Sequence, residues 1–194
     1  GRIQELTNQI QDYRTELNRL QSLQRAKYSI DQIIGKSPKI KKMKEVMEKI
    51  SSSHLTTLIY GETGTGKELI AHSIHQLSQR RHKPLICINC AAIPNELLES
   101  ELFGYEEGAF TGAKKNGKIG KLEAANGGTL ILDEISELPI FLQSKLLRVF
   151  QEREFERVGG TKVIKLDVRL ICITNKNLKE LVAQGKFRED LYYR

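Results

Sequence analysis

Nowhere in these 194 residues does an apolar run approach the roughly eighteen needed for a membrane helix. No charged leader with a small-residue cleavage site is visible either. Membrane-spanning and secretory classes are set aside, and a cytoplasmic protein with no membrane partner is expected. Cysteine is scarce: Cys87, Cys90 and Cys172 lie in the apolar runs LICINC and RLICIT. Cys87 and Cys90 have C-x-x-C spacing, but no second pair or thioredoxin-like context accompanies them. Core packing in a reducing compartment is the expectation for all three. Internal repeats, low-complexity tracts and a basic tail are also lacking. His72 and His75 lie one helical turn apart, while His54 and His82 stand alone. None has a carboxylate or cysteine at ligand spacing, so no metal site is expected from them. The net charge of +7 fits polyanion partners, nucleotide or nucleic acid, without setting a fold.

What is present begins with a heptad-like stretch. Ile3, Leu6, Ile10, Tyr13, Leu17 and Leu20 alternate spacings of three and four, the seam of a two-stranded coiled coil. About three heptads is the threshold for that pattern, and the flanking residues are mostly Gln, Thr and Asn. Two readings stay open for residues 1–27: a dimeric coiled coil, or one amphipathic helix lying on a neighbouring domain. Either makes it a linker into a globular unit at 28–194. The start at Gly1 and the uncapped end after FREDLYYR read as cuts within a longer polypeptide.

A fresh helix begins near Ser37 and Pro38, a cap and a first-turn residue. Ile40, Met43, Met47 and Ile50 form its inward face. Lys39, Lys41, Lys42, Lys44 and Lys49 form a solvated one. From Leu55 onward, β-rich runs (55–60, 85–89, 129–133, 168–174) alternate with helical patterns (66–79, 95–102, 139–151). The last pattern opens at Pro139 and turns Phe141, Leu142, Leu146, Val149 and Phe150 inward. This alternation predicts an α/β fold with a mostly parallel sheet between helices.

Two motifs carry chemistry. GETGTGKE (61–68) follows a β run and opens a helix, the context of a P-loop. Gly61, Gly64 and Gly66 let the backbone aim its N–H groups at phosphate oxygens, and the helix N-terminus adds its dipole. Glu62, Thr63 and Thr65 complete the loop, and Lys67 supplies a charge for the terminal phosphates. The general motif ends in Ser or Thr, but Glu68 stands here. More of the Mg2+ coordination therefore falls to water and to a second acidic site. That site is TLILDE: Asp133 ends a buried strand, where it can hold Mg2+ through water. Glu134 is placed to orient an attacking water.

A third stretch, LFGYEEGAFTGAKKNGKIG (102–120), has no helical or strand period. Its glycines at 104, 108, 112, 117 and 120 remove rotational restraint around Phe110, and loops of this length usually have a task. Phe110 is either an aromatic anchor for a partner or a ring folded back on its own domain. Lys114, Lys115, Lys118 and Lys121 follow as a solvated loop or a surface for DNA.

GETGTGKE, ESELFGYEEGAFTGA, GGTLILDE, LLRVFQEREFERVGG and FREDLYYR together resemble the AAA+ domain of bacterial enhancer-binding proteins. Those activators work on RNA polymerase carrying sigma-54. The likeness runs from about Ile33 to Arg194, and Glu68 agrees with it. It implies an ATP-hydrolysing motor of the P-loop NTPase, AAA+ type, using ATP and Mg2+. Gly108, Ala109, Phe110, Thr111, Gly112 and Ala113 would contact sigma-54, with residues 153–160 as a second loop beside them. Asn175 would sense the γ phosphate, and Asn89 would hold Glu134 in an inactive pose. Arg188 and Arg194 would be fingers reaching a neighbouring subunit's ATP within a ring of six or seven copies. By themselves, arginines in an amphipathic helix are more often surface ion pairs. Ile33, Ile34 and Gly35 would meet adenine. The resemblance further implies an additional strand, a helical lid and a DNA-binding domain after Arg194, and an unspecified sensor domain upstream. Promoter and enhancer DNA would thus be contacted by the complete parent protein. Weak turnover is expected of these residues alone. The alternatives are a binding and assembly module with little turnover, and another AAA+ remodeller or unfoldase.

Overall fold

The structure is a computed structural model that describes residues 2–112 and 115–194. Ala113 and Lys114 lie outside the described residues, as does the side chain of Leu17. In chain order the elements are α1 (Arg2–Lys27), α2 (Pro38–Ser51), β1 (Thr57–Tyr60), α3 (Lys67–Leu77), β2 (Leu85–Asn89) and α4 (Asn95–Phe103). The short strands β3 (Gly104–Tyr105) and β4 (Lys118–Ile119) follow, then α5 (Lys121–Ala124) and β5 (Thr129–Asp133). Next come α6 (Ile140–Glu152), β6 (Glu154–Glu156), β7 (Val163–Lys165), β8 (Arg169–Thr174), α7 (Leu178–Ala183) and α8 (Glu189–Tyr192).

Strands β1, β8, β5 and β2 form a four-stranded sheet in that order, every pair parallel. A parallel sheet covered on both faces needs apolar residues at every position of its inner strands. The inner strands β5 and β8 are buried along their lengths, apart from half-buried Asp133. Side chains alternate between two cores. Leu130, Leu132, Leu170 and Cys172 join α4 and α6 on one face. Ile131, Ile171 and Ile173 join Met47, Ala71 and Ile74 on the other. Edge strands are less protected, and this corrects one expectation: Cys87 on β2 is exposed, while Cys90 and Cys172 are buried. The cysteine runs look alike in sequence, but only β8 has neighbours on both sides.

Ser37 caps α2 by accepting from Ile40 N (3.3 Å), and Pro38 follows at the first helical position. The far end of α2 is capped from β8. Arg169, itself buried, donates to Ser51 O (2.8 Å) and Ile50 O (2.7 Å). This satisfies carbonyls that a helix C-terminus leaves free. Of the α2 lysines, Lys44 is half-buried and the others are exposed. α1 forms as one helix whose seam residues Ile3, Leu6, Ile10, Tyr13 and Leu20 are exposed.

In α6 the expected inward face needs correction at Phe141, which is 55% exposed. It shares the solvent side with Arg148 two turns on, while Gln143 takes the buried position beside Leu142, Leu146 and Phe150. Pro139 is the residue before the helix rather than its first turn.

The glycine loop also differs from expectation. Its base is closed by the antiparallel pair β3–β4. A Cβ at Gly104 would lie 2.3 Å from Lys118 O, and one at Gly120 2.3 Å from Gly104 N. These two glycines permit a backbone crossing rather than free rotation. Among the described residues, no helix is long and apolar enough to cross a membrane.

Candidate functional site

The phosphate loop joins β1 to α3. Gly64 (φ 80°) and Gly66 (φ 85°) both adopt left-handed backbone, and no atom lies within 4 Å of a Cβ built on either. Open space over two such residues at a helix N-terminus fits an anion cradled by backbone N–H groups. Gly61 serves differently. Its backbone is not left-handed, and a Cβ there would meet Thr65 Oγ1 at 3.3 Å. Thr65 Oγ1 donates to Glu62 O (2.7 Å), tightening the loop. Lys67 is buried, and its ammonium donates to Gly61 O (2.8 Å) and Glu62 O (2.7 Å). Glu68 points outward and accepts from Tyr28 Oη at 3.2 Å. The Tyr28 ring stacks on His72 with centroids 3.9 Å apart.

Because β8 lies between β1 and β5, the carboxyl ends of all three strands converge on one crevice. Crevices at that edge of open α/β sheets are where ligands bind. From β8, Asn175 donates to Thr63 Oγ1 (3.0 Å). From β5, Asp133 presents its carboxylate, which accepts from Glu134 N (3.0 Å). Glu134 itself sits in left-handed backbone (φ 51°, ψ 51°). A non-glycine residue held there stores strain of about 1–3 kcal/mol. Among the described residues the Glu134 carboxylate has no hydrogen-bond partner.

Asn89, expected to hold Glu134, instead donates to Asp133 Oδ2 (3.2 Å). Register explains this: Asn89 and Asp133 are partners on adjoining strands, whereas Glu134 has already left the sheet. Asn89 Oδ1 accepts from Ala91 N (2.9 Å) and Ala92 N (3.2 Å).

The segment expected to meet adenine is divided. Ile33 is buried against α3, and Ile34 is 93% exposed. Gly35 (φ 154°) leaves room for Ile40, whose Cγ1 would be 2.9 Å from a Cβ there.

Arg188 and Arg194 are not brought to the phosphate loop. The Arg188 guanidinium grips Asp190 with two bonds (2.9 and 2.7 Å) and donates to Ser144 Oγ (3.0 Å). That ion pair holds the Asp190 carboxyl below its ordinary range. Arg194 donates to Phe150 O (3.0 Å) at the end of α6.

Phe110 is 44% exposed and rests edge-on against Tyr105, ring centroids 4.9 Å apart. It is thus partly folded back and partly presented. Gly108 (φ 76°) and Gly112 (φ 94°) flank it with open space where a Cβ would be. Thr111 is exposed, and Ala109 N donates to Glu106 O (3.2 Å). The 153–160 segment does lie alongside. Glu106 N donates to Val158 O, Val158 N donates to Gly104 O, and Gly159 approaches Ala109 closely enough that a Cβ would sit 2.7 Å from its methyl. Arg157 clamps the pair, donating to both Glu123 oxygens (2.9 and 2.8 Å) and to Glu106 (3.2 Å).

Sequence reasoning missed Gln143, which is fully buried and bonded at both ends of its amide. The available signal was a polar residue at an inward position of an otherwise apolar stripe.

Comparison with known proteins follows the same lines. The family described as the sigma-54 interaction domain matches residues 33–194. A signal-transduction and transcriptional-control protein of Clostridium beijerinckii is 60% identical over 169 residues, covering 87% of this chain and 27% of that protein. A Nif-specific regulatory protein of Azorhizobium caulinodans is 57% identical over 162 residues, covering 84% and 26% respectively. The chain thus spans about a quarter of these relatives' length. The structure of NtrX from Brucella abortus in complex with ATP superposes with a TM-score of 0.75 at 41% identity, covering 83% of this chain and 34% of that one. With its parallel sheet, phosphate loop and paired surface loops, the chain belongs to the sigma-54 interaction domain family of AAA+ P-loop NTPases.

Proposed function

We propose that this chain is the ATP-hydrolysing motor of a sigma-54-dependent transcription activator, which engages sigma-54 RNA polymerase through the loop at Gly108–Ala113. The observation that carries the reading is that Asn175, Asp133 and the phosphate loop leading to Lys67 each follow or end one of three adjacent parallel strands at the same sheet edge. Glu134 stands beside them in strained backbone.

Bound Mg2+ and ATP supply the phosphoanhydride bond and the charge that polarises it. The chain's own residues do the rest. Lys67 exchanges its carbonyl partners for phosphate oxygens, and the N–H groups around Gly64 and Gly66 cradle the same anion. Asp133 would hold the metal, Glu134 would orient or activate the attacking water, and Asn175 would read the terminal phosphate. Ile33, Ile34 and Gly35 border the base. Within a ring of six or seven copies, Arg188 and Arg194 leave their present partners and serve the next subunit's site. A guanidinium offered in trans is worth about 10³–10⁵ in rate. Phe110, half-presented between two left-handed glycines, is the anchor for sigma-54. The complete protein acts in the cytoplasm and contacts promoter and enhancer DNA.

The test is capture of sigma-54 by the protein bound to a transition-state nucleotide analogue. Wild type is retained, and Phe110→Ala loses retention by tenfold or more. Unchanged retention in Phe110→Ala overturns the loop assignment. A second reading, a binding and assembly module with little turnover, is favoured by the engagement of Arg188 with Asp190 in its own chain.

A further inference from the structure

Gln143 is fully buried, and an amide placed there demands partners for both its ends. It has them in two separate segments. Its nitrogen donates to Leu138 O (2.8 Å) and Lys186 O (3.1 Å), and its oxygen accepts from Arg188 N (2.8 Å). Leu138 closes the 3-10 turn Ile135–Glu137, whose first flanking residue is Glu134. One side chain therefore ties the segment that starts at Glu134 to the backbone of Arg188. The adjacent Ser144 Oγ accepts from the Arg188 guanidinium at 3.0 Å. Helix α6 thus grips both the backbone and the head of this arginine.

A merely apolar contact would not need this arrangement. Leucine or methionine of similar volume would leave Leu138 O, Lys186 O and Arg188 N without this partner. A buried, fully bonded amide gives directional control over where its partners sit.

We propose that Gln143 is a positioning residue that couples the Glu134 segment of each subunit to the Arg188 it offers to its neighbour. The proposal rests on the in-trans role of Arg188 in the function above. The strand-end segment and the arginine belong to the same subunit but serve two different ATP sites. Gln143 bonds directly to both segments. A change at Glu134 is then felt as a displacement of Arg188 backbone, and a misplacement of about 1 Å in such a group costs on the order of 10²-fold in rate.

Mixing of inactive subunits tests this in the full protein. Arg188→Ala keeps its own nucleotide site but offers no finger, whereas Glu134→Gln keeps the finger but not the site. Their mixture recovers turnover by at least tenfold over either alone. Gln143→Met lowers turnover by about 10–100-fold while binding a fluorescent ATP analogue with wild-type affinity. It recovers when mixed with Glu134→Gln but not when mixed with Arg188→Ala. Gln143→Asn, which keeps a donor and an acceptor but falls one methylene short, is carried in parallel under the same pairing rule, with a smaller loss, in case the first variant fails to fold.

Failure of Arg188→Ala to recover with Glu134→Gln overturns the in-trans reading and this proposal with it. Recovery there, combined with no recovery of folded Gln143 variants by Glu134→Gln, overturns the proposal alone. Recovery of Gln143 variants by Arg188→Ala does so as well, since Gln143 would then act on its own site.

Discussion

Asn89 and Asp133 are register partners on adjoining parallel strands, joined by a hydrogen bond from the Asn89 amide to Asp133 Oδ2 of 3.2 Å. The other end of the same amide holds Ala91 N and Ala92 N. Asn89 is therefore a brace for the acidic strand end. Asn89→Ala is expected to cost about 1–2 kcal/mol in urea unfolding. Asn89→Asp costs more, because it sets a second carboxylate against Asp133. A variant order in which the aspartate is the better tolerated contradicts the brace.

Gly104 and Gly108 separate crossing from flexing in the loop. A Cβ at Gly104 collides with backbone at 2.3 Å, whereas one at Gly108 meets open space. Gly104→Ala is expected to lose roughly 3 kcal/mol or more. Gly108→Ala loses only the roughly 1–2 kcal/mol that left-handed backbone costs a side chain. Thermal unfolding of the two variants measures the difference directly.

Arg157 is bonded to Glu123 and Glu106 at once, so its removal takes away one fastening of the glycine loop and leaves the backbone bonds of Val158. In Arg157→Ala, amide exchange at Glu106 and Ala109 is expected to accelerate about tenfold. Arg157→Lys restores only part of the protection, since an ammonium cannot make the two parallel bonds to Glu123. Equal exchange in all three proteins would show that the loops are held by other contacts.

His75 lies buried with Nδ1 2.9 Å from Thr129 Oγ1. Burial, with smaller effects from His72 and Arg169, pushes its pKa down from 6.5 to about 4. The unfolded chain thus binds more protons than the folded one between those values. The stabilisation is complete above pH 6.5 and is lost as pH falls toward 4, up to roughly 3 kcal/mol at the limit. The unfolding midpoint of His75→Gln should therefore decline less between pH 7 and pH 5 than that of wild type. Parallel declines would mean that His75 titrates alike in both states.

The sheet was legible because buried parallel strands must be apolar at every position. The runs at 85–89 and 129–133 coincide with β2 and β5 residue for residue. The phosphate loop was legible because glycine spacing and a following helix leave few other conformations. Edge and centre were not distinguishable, which is why Cys87 was expected inside. The left-handed backbone of Glu134 leaves no mark in residue type, unlike that of Gly64. The glycine loop concealed its two-residue strands because a glycine that permits a crossing and one that permits motion are the same letter. Gln143 was hidden by attention to apolar periodicity: its meaning lies in the carbonyls of Leu138 and Lys186, distant from each other along the chain.

The most direct test of the motor reading is Mg2+-dependent ATP hydrolysis by the full protein over a wide range of concentration, with Glu134→Gln alongside. Turnover per subunit should climb with concentration as neighbours supply their arginines. It should fall by at least about a hundredfold in the variant, while nucleotide binding persists. Turnover that is independent of concentration and indifferent to Glu134 would contradict the account.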